Sequence, residues 1–144
     1  LPPAEVPDRD YPLVLMTGRQ LEHWHTGAMT RRAEVLDLLE PGPTASLNPV
    51  TLARYGVAPG QSIKVTTRRG SIQLTARADR AIQDGTIFIP FAYVEAAANV
   101  LTNPQLDPIA KIPEYKYCAV RIEPGHGREH PEVEFSQNVT ASGL

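Results

Sequence analysis

The sequence has a single cysteine, Cys118, among its 144 residues. One thiol excludes an internal disulfide, and it also excludes a zinc or iron–sulfur site built from the cysteines of this chain. Sparse cysteine fits a reducing compartment, so we expect a cytoplasmic protein. Cys118 sits within YKYCAVR with no neighbouring base, which indicates a buried structural thiol and not a nucleophile.

Long apolar runs and excess charge are missing as well. No apolar run approaches the roughly 20 residues of a membrane-spanning helix, so no membrane span is predicted. The formal net charge of -2 argues against general nucleic-acid binding. The sequence also lacks a GxGxxG motif, a P-loop and a GxSxG elbow. These absences argue against the common nucleotide folds and against self-contained catalysis.

Composition divides the chain into three parts. Residues 1–10 (LPPAEVPDRD) hold three prolines and four charged side chains, which predicts a linker or flexible arm. Residues 11–123 have the length and apolar content of one folded domain. Residues 124–144 are polar and predict a disordered tail. Because the chain begins with Leu1 and not with Met, we expect it to be a fragment of a longer protein.

Short strands dominate the predicted domain. Ser62 to Thr67 and Ser71 to Ala78 alternate apolar and polar residues around an Arg-Arg-Gly turn, which predicts a hairpin. Further strands are predicted over residues 11–16, 86–90 and 115–122. Their irregular spacing argues against a sandwich. The fold class that follows is mainly β with short helices, as in a small β-barrel with helical excursions.

Three helical segments are predicted between the strands. Met29, Ala33, Leu36 and Leu39 form one apolar stripe, which predicts a helix over residues 28–40. A shorter helix begins at Asn48-Pro49 and ends at a left-handed Gly56. Residues 91–101 are helix-prone through their alanines.

One stretch, residues 17–32, is unusually rich in hydrogen-bonding groups. It reads TGRQLEHWHTGAMTRR, with two glycines, three arginines, two histidines and a tryptophan. A strand that ends in Thr17-Gly18-Arg19 leaves backbone N–H groups and a guanidinium where an anion can bind. Two interpretations stay equal at this point. Gly18 either serves only the turn, or lets a pyrophosphate or pterin approach the backbone closely.

The histidines and asparagines also admit two interpretations each. His23 and His25 lack a third ligand nearby, so a metal site on them is disfavoured, and they fit better as partners of a flat heteroaromatic ligand. Asn99 and Asn103 fit ordinary capping and turn roles, or amides directed at a heterocycle edge. The Tyr115-Lys116-Tyr117 run is likewise either ordinary strand or ligand contact. Taken singly, the ordinary role is favoured for each.

Taken together, the motifs resemble a known family. TGRQLEHWHTGAMTRR, the NPxxxxxxG helix, the Arg68-Arg69-Gly70 turn and IPFAYVEAAANVLTNPQLDPIAKIPEYKYCAVR occur in that order. The combination resembles the C-terminal molybdopterin-dinucleotide-binding domain of molybdenum- or tungsten-dependent formate dehydrogenase large subunits, in the dimethyl sulfoxide reductase superfamily.

The resemblance implies a double-psi β-barrel and the cofactor bis-molybdopterin guanine dinucleotide. It assigns the first cofactor-contacting turn to Thr17, Gly18, Arg19 and Gln20. His23, His25, Thr26 and Gly27 continue along the pterin and phosphates, Asn99 meets a pterin edge, and Tyr115 and Lys116 make a later contact. It implies no metal ligand and no catalytic residue in this chain, and it leaves open whether the metal is molybdenum or tungsten.

The implied whole enzyme converts formate to carbon dioxide. Its iron–sulfur cluster and its Cys or selenocysteine metal ligand belong to the missing N-terminal region, so this fragment is expected to be inactive alone. The implied partners are the remaining domains of the large subunit and electron-transfer subunits. Two alternatives stay open: a stand-alone double-psi barrel used for binding or assembly, and the same domain of another molybdopterin oxidoreductase.

Overall fold

The computed structural model describes residues 2–23, 25–39, 42–114, 116–125 and 133–135. Its strands are β1 (Leu13–Gly18), β2 (Thr44–Leu47), β3 (Ser62–Thr66), β4 (Gly70–Ala78), β5 (Thr86–Pro90), β6 (Cys118–Pro124) and β7 (Val133–Phe135). The α-helices are α1 (Glu34–Leu39) and α2 (Pro49–Arg54), and short 3-10 helices cover Thr30–Arg32, Val94–Ala96 and Ala98–Val100. Within these described ranges, every helix is too short to cross a bilayer.

Six strands form a closed barrel. They follow the order β2-β5-β1-β6-β3-β4, and pairing of β2 with β4 closes the ring. Two pairings are parallel, β1 with β5 and β2 with β4, and the other four are antiparallel. Closure leaves no unpaired edge within the ring, which a small sheet otherwise has to protect. The predicted mainly β architecture with short helices is confirmed.

The barrel interior is filled by the alternate side chains of its strands. In β1, Leu13, Leu15 and Thr17 point inward and are buried, while Met16 is exposed. The same period of two appears in β3, where Ile63 and Val65 are buried. Period-two patterning therefore decides which face of each strand enters the core.

Local signals predicted the hairpin and α2 correctly. β3 and β4 pair antiparallel from Ser62 opposite Thr75 to Thr66 opposite Ser71. The Asn48 side chain caps α2 by accepting a hydrogen bond of 2.9 Å from the Val50 N–H. Gly56 follows the helix with a φ of 64°, the left-handed conformation expected of it.

The predicted helix over residues 28–40 is wrong in extent. Ala33 is extended, with φ -91° and ψ 108°, and it separates the 3-10 turn Thr30–Arg32 from α1. Met29 and Leu39, both placed on the predicted buried stripe, are 70% and 64% exposed. Val35 and Leu38 are exposed as well. The break at Ala33 rotates α1, so its apolar side chains face away from the barrel core.

The predicted helix over residues 91–101 is also wrong. The segment forms two 3-10 turns separated by Ala97, which has φ -63° and ψ 107°. Burial of Tyr93, Ala96, Ala98 and Leu101 against the barrel outweighs the helix propensity of the alanines.

The last strand was predicted over residues 115–122. In the structure it begins at Cys118 and ends at Pro124.

Short segments near both ends of the chain contact the barrel. Near the start, Glu5 forms ion pairs with Arg68 and Arg69, so this segment lies against the barrel. Near the other end, Val133–Phe135 pairs antiparallel with β4, inside the predicted tail. Residues 126–132 and 136–144 lie outside the described residues, and the tail prediction for them stays a prediction.

Candidate functional site

The candidate site lies where β1 and β5 end. These strands are parallel neighbours, and Gly18, the last residue of β1, is opposite Pro90, the last residue of β5. The Phe91 N–H donates a hydrogen bond of 3.2 Å to the Gly18 carbonyl. Each strand then leads into a non-strand segment at the same edge of the barrel. We call the described residues of 19–43, after β1, the first excursion, and those of 91–117, after β5, the second excursion. Carboxyl ends of parallel strands that meet in this way are a common place for ligand sites.

The two excursions are fastened to each other. Arg31 forms a two-point ion pair with Glu95, at 2.7 and 2.6 Å. The Arg31 guanidinium carbon also lies 4.9 Å from the centre of the Tyr93 ring. The His23 ring also meets the Tyr93 ring edge-on, with 5.7 Å between the ring centres. The first excursion therefore packs on the second through one tyrosine and one bidentate ion pair.

A first cleft of about 590 Å³ opens along the first excursion. It brings together four of the predicted contact residues, Arg19, Gln20, His23 and His25. Its other lining residues, which sequence reasoning did not select, are Leu21, Glu22, Thr30 and Leu36. The cleft is mixed in character: it has one guanidinium, one carboxylate, one amide, two imidazoles, one hydroxyl and two leucines. Such a lining suits a large flat ligand with polar edges.

Gln20 carries an open hydrogen-bonding position in this cleft. Its side-chain Oε1 is buried and has no hydrogen-bond partner in the part of the chain that the structure describes. A buried acceptor without a donor costs about 1–3 kcal/mol. A ligand with ring N–H or amino groups, such as a pterin, supplies the missing donor. The acceptor of Gln20 and the guanidinium of Arg19 therefore fit a molybdopterin, which has N–H donors and a phosphate.

A second cleft of about 90 Å³ lies between the excursions. It joins Thr26 of the first excursion to Asn99 of the second, two further predicted contact residues. Its remaining lining comes from Phe91, Tyr93, Ala97 and Ala98. Thr26 and Asn99 are exposed, so the threonine hydroxyl and the asparagine amide can both reach a ligand at this junction.

The two predicted glycines occupy tight positions. A Cβ on Gly18 would meet the Phe88 ring at 2.8 Å, and one on Gly27 would meet the Ala92 carbonyl oxygen at 2.8 Å. Gly27 also has a φ of 74°, and its carbonyl accepts a hydrogen bond from the Arg31 N–H at 3.0 Å. Glycine at position 27 thus lets the first excursion lie directly on the second.

The histidines differ in their surroundings. His23 is 1% exposed, and its Nδ1 lies 3.3 Å from the Thr30 hydroxyl, so it is largely built into the wall of the first cleft. His25 is half-buried, and its φ of 51° is uncommon for a residue with a side chain. Across the ranges described above, no three His, Cys, Asp or Glu side chains gather closely enough to hold a metal ion.

The remaining predicted contact residues lie apart from these clefts or outside the description. Thr17 is buried in β1 beneath the site. Lys116 is exposed and lines neither cleft. Tyr115 lies outside the described residues. The sequence analysis did not select Tyr93 and Glu95 as site residues. Their partners, His23 and Arg31, are distant in sequence, and no local pattern links them.

Cys118 has the structural role that was predicted for it. The thiol is fully buried, and the Asn103 N–H donates a hydrogen bond of 3.1 Å to its sulfur. Burial raises the pKa of this thiol, which the Asn103 N–H opposes only in part. The thiol therefore stays protonated and unreactive at neutral pH.

Comparisons with known proteins identify the family of the chain. Residues 13–119 match the family model of the molybdopterin dinucleotide binding domain. The chain is 48% identical over 120 residues to an F420-dependent formate dehydrogenase subunit alpha of Methanocaldococcus jannaschii, which covers 83% of this chain and 18% of that protein. It is 43% identical over 122 residues to F420-dependent formate dehydrogenase 1 subunit alpha of Methanococcus maripaludis, covering 84% and 18%.

Among solved structures, acetylene hydratase from Pelobacter acetylenicus superposes with a TM-score of 0.73 at 24% identity. The match covers 81% of this chain and 19% of that one. A likeness at this identity bears on the fold alone, and it confirms the predicted double-psi β-barrel. The chain spans less than a fifth, 18%, of the length of the two curated relatives.

Replacement of Gly27 by alanine should separate the two excursions. Its positive φ and the short approach to the Ala92 carbonyl predict that Gly27→Ala destabilises the chain by about 1–3 kcal/mol. Urea unfolding measures this. Gly42→Ala is the matched control, because a Cβ there meets no atom within 4 Å, and it should change the unfolding free energy by less than about 1 kcal/mol. Equal effects of the two substitutions would contradict the close approach at Gly27.

The Arg31–Glu95 pair should make the site sensitive to acid. Hydrogen bonds from the Arg31 guanidinium lower the pKa of the Glu95 carboxyl in the folded chain. The pair therefore stabilises the fold above the unfolded pKa, near 4.3 for glutamate, and this stabilisation is lost as the pH falls through the lowered folded-state pKa. Because Glu95 is 41% exposed, the effect should stay below about 1 kcal/mol.

Glu95→Gln removes this titration, so its unfolding free energy should fall less steeply with decreasing pH below about 4.3 than that of the wild type. Urea unfolding at a series of pH values provides the measurement. Glu34→Gln, at the exposed start of α1, serves as the control. Identical pH profiles for Glu95→Gln and the wild type would rule out the ion pair as a contributor.

Proposed function

The chain belongs to the molybdopterin dinucleotide binding domain family, and from this we propose that it is the C-terminal cofactor-binding domain of a larger formate dehydrogenase. Its ligand in this proposal is bis-molybdopterin guanine dinucleotide. The observation that carries the proposal is the convergence of Arg19, Gln20, Thr26 and Asn99 on two adjoining clefts at the carboxyl ends of β1 and β5. The identity of 43–48% to formate dehydrogenase alpha subunits supports the choice of enzyme.

The proposed role of each residue in cofactor binding follows from its side-chain chemistry. The exposed guanidinium of Arg19 offsets pyrophosphate charge. The amides of Gln20 and Asn99 exchange hydrogen bonds with pterin heteroatoms. His25 and the Thr26 hydroxyl continue this polar surface, while Gly18 and Gly27 keep the backbone close to the ligand. We propose that Thr17, His23, Tyr115 and Lys116 complete the cofactor contacts.

In the whole enzyme the cofactor supplies a molybdenum or tungsten centre that takes up the two electrons released when formate becomes carbon dioxide. The residues of this chain bind and orient the pterins and set the hydrogen bonds around them. The metal-ligating Cys or selenocysteine and the iron–sulfur cluster are assigned to the region that precedes this domain.

The exposed apolar face of the first excursion supports the proposed partners. Met29, Val35, Leu38 and Leu39 are each more than 60% exposed, and the last three share one side of α1 by their spacing. We propose that this face packs on the remaining domains of the same large subunit. Electron-transfer subunits then bind elsewhere on that subunit, and the whole assembly is cytoplasmic, as the sparse cysteine suggests.

An alternative is the same domain of another molybdopterin oxidoreductase. The fold does not discriminate between them, as the likeness to acetylene hydratase illustrates. The phrase TGRQLEHWHTGAMTRR and the similarity to two formate dehydrogenase alpha subunits favour formate as the substrate of the whole enzyme. A stand-alone binding or assembly module is disfavoured because those relatives are several times longer than the match.

Binding can be tested with 6-hydroxymethylpterin pyrophosphate, which carries a pterin and a pyrophosphate in one small molecule. On titration into the chain, we expect NMR shift changes at Arg19, Gln20, His23 and Asn99, with weak affinity because other domains supply part of the enclosure. Inorganic pyrophosphate alone should shift Arg19 and leave Asn99 unchanged. Shifts confined to residues 126–144 would refute the proposed site.

The chain alone should not oxidise formate. With the metal ligand and the iron–sulfur cluster assigned elsewhere, we expect no formate-dependent dye reduction by the isolated chain. The longer protein that contains this domain should reduce the dye. Activity of the isolated chain would show that the catalytic residues are present here and would overturn the proposed role.

A further inference from the structure

A second set of contacts lies behind the clefts, where the segment before β1 meets the turn between β3 and β4. The Arg69 guanidinium donates to the Leu101 carbonyl twice, from Nε at 3.2 Å and from Nη2 at 2.9 Å. Its third nitrogen, Nη1, pairs with the Glu5 carboxylate at 2.8 Å. Glu5 and Arg69 are only 10% and 18% exposed. All three guanidinium nitrogens therefore have partners, and the two side chains are mostly buried at the wall of a cleft of about 410 Å³.

The backbone of Arg69 is itself fixed by the hairpin. The Arg69 N–H donates to the Thr67 hydroxyl at 3.2 Å, and the Thr67 N–H donates to the Gly70 carbonyl at 2.9 Å. Thr67 is buried. The guanidinium thus projects from a hairpin turn that these two hydrogen bonds hold in place, and such a turn can position another segment.

The Leu101 carbonyl ends the turn that carries Asn99. The Leu101 N–H donates to the Ala98 carbonyl at 3.0 Å, and the Thr102 hydroxyl donates to the Asn99 carbonyl at 3.0 Å. Leu101 is fully buried in the core. The turn from Ala98 to Thr102 therefore closes on itself, and Arg69 is its side-chain link to the barrel at Leu101.

We propose that Arg69 is a positioning residue for the cofactor: oriented by Glu5, it holds the Leu101 carbonyl and thereby fixes the turn that presents Asn99 to the second cleft. This inference rests on the proposed function, since it assumes that Asn99 contacts the ligand. It assigns a role to the Arg-Arg-Gly turn and to the segment before β1. Both lie outside the predicted set of contact residues.

The chemistry of the contact requires arginine. A guanidinium presents its donors in a planar fork, so it can serve one carbonyl twice and a carboxylate at the same time. A lysine ammonium keeps the charge but cannot span both acceptors in this geometry. Arg69→Lys should therefore retain the fold and the pairing with Glu5 while releasing the Leu101 carbonyl.

The test compares Arg69→Lys with Arg68→Lys in the 144-residue chain. Arg68 also pairs with Glu5, but its other partners are Asp8 and the Tyr11 ring and not Leu101. We expect Arg69→Lys to weaken binding of 6-hydroxymethylpterin pyrophosphate roughly tenfold, the effect of about one lost hydrogen bond. Arg68→Lys should bind like the wild type. Glu5→Gln, which keeps the shape but not the charge, should fall between them.

A readout in the free protein separates positioning from general stability. In Arg69→Lys, the side-chain amide signals of Asn99 should shift, and the Leu101 and Thr102 amides should exchange with solvent faster. Core amides such as those of Leu15 and Ile87 should exchange as in the wild type. Faster exchange throughout the core would show a merely structural role and would refute the proposal.

The outcomes distinguish this proposal from the proposed function. If the wild type binds the pterin probe and Arg69→Lys binds it equally well, the positioning role is wrong and the cofactor role stands. If the wild type shows no binding, the proposed function fails at this site. The Asn99 and Leu101 signals of the free variants then still decide whether Arg69 holds the turn, and unchanged signals would exclude it.

Discussion

Parallel pairing of β1 with β5 is the constraint on which the rest of the site depends. A parallel pair cannot be joined by a tight turn, so the chain must cross over between its strands. Here the pairing brings Gly18 and Pro90 to the same edge of the barrel. The segments that follow them, distant in sequence, then start side by side. The register of this one pair thus places the starts of both excursions side by side before any side chain is considered.

Side chains then determine how closely the excursions approach. Gly27 lacks the Cβ that would collide with the Ala92 carbonyl, and Tyr93 contacts both His23 and Arg31. The ion pair of Arg31 with Glu95 lies at the outer side of this contact. Gly27 allows the two excursions to lie close together, and the bidentate Arg31–Glu95 pair fixes their relative orientation. A preorganised site requires both.

The fold was predictable from sequence where local chemistry decides the structure. The hairpin and α2 follow from alternation, from the Asn48-Pro49 cap and from Gly56, and each lies where it was predicted. The segments 28–40 and 91–101 were not predictable in this way. Their alanines and leucines favour helix locally, but Ala33 and Ala97 are extended. Packing of Ala96, Ala98 and Leu101 in the core accounts for the break at Ala97. A single sequence contains no signal for such a contact.

For the candidate site, too, local sequence patterns predicted only part of the arrangement. Arg19, Gln20, His23 and His25 are close in sequence. Their stretch indicated a preference for anions, and the family resemblance assigned all four to the cofactor. The structure gathers them in one cleft. Asn99 was linked to them only through the family resemblance. Arg69 and Glu95 could not be found either way, since each acts on a partner far along the chain. Positioning residues are harder to predict than contacting ones because their partners are protein groups and leave no ligand-like pattern.

The buried Oε1 of Gln20 connects binding to stability. An acceptor left without a donor destabilises the free chain by about 1–3 kcal/mol, and a ligand that donates to it removes this cost only in the bound state. Binding to the folded chain alone then raises the free energy of unfolding as ligand concentration rises above the dissociation constant. The exposed apolar face of α1 is a similar case. Contact of these side chains with water is unfavourable in the isolated chain, and covering them by another protein surface would lower the free energy. Under the proposed function, both features would therefore gain stability when the cofactor and the neighbouring domains bind.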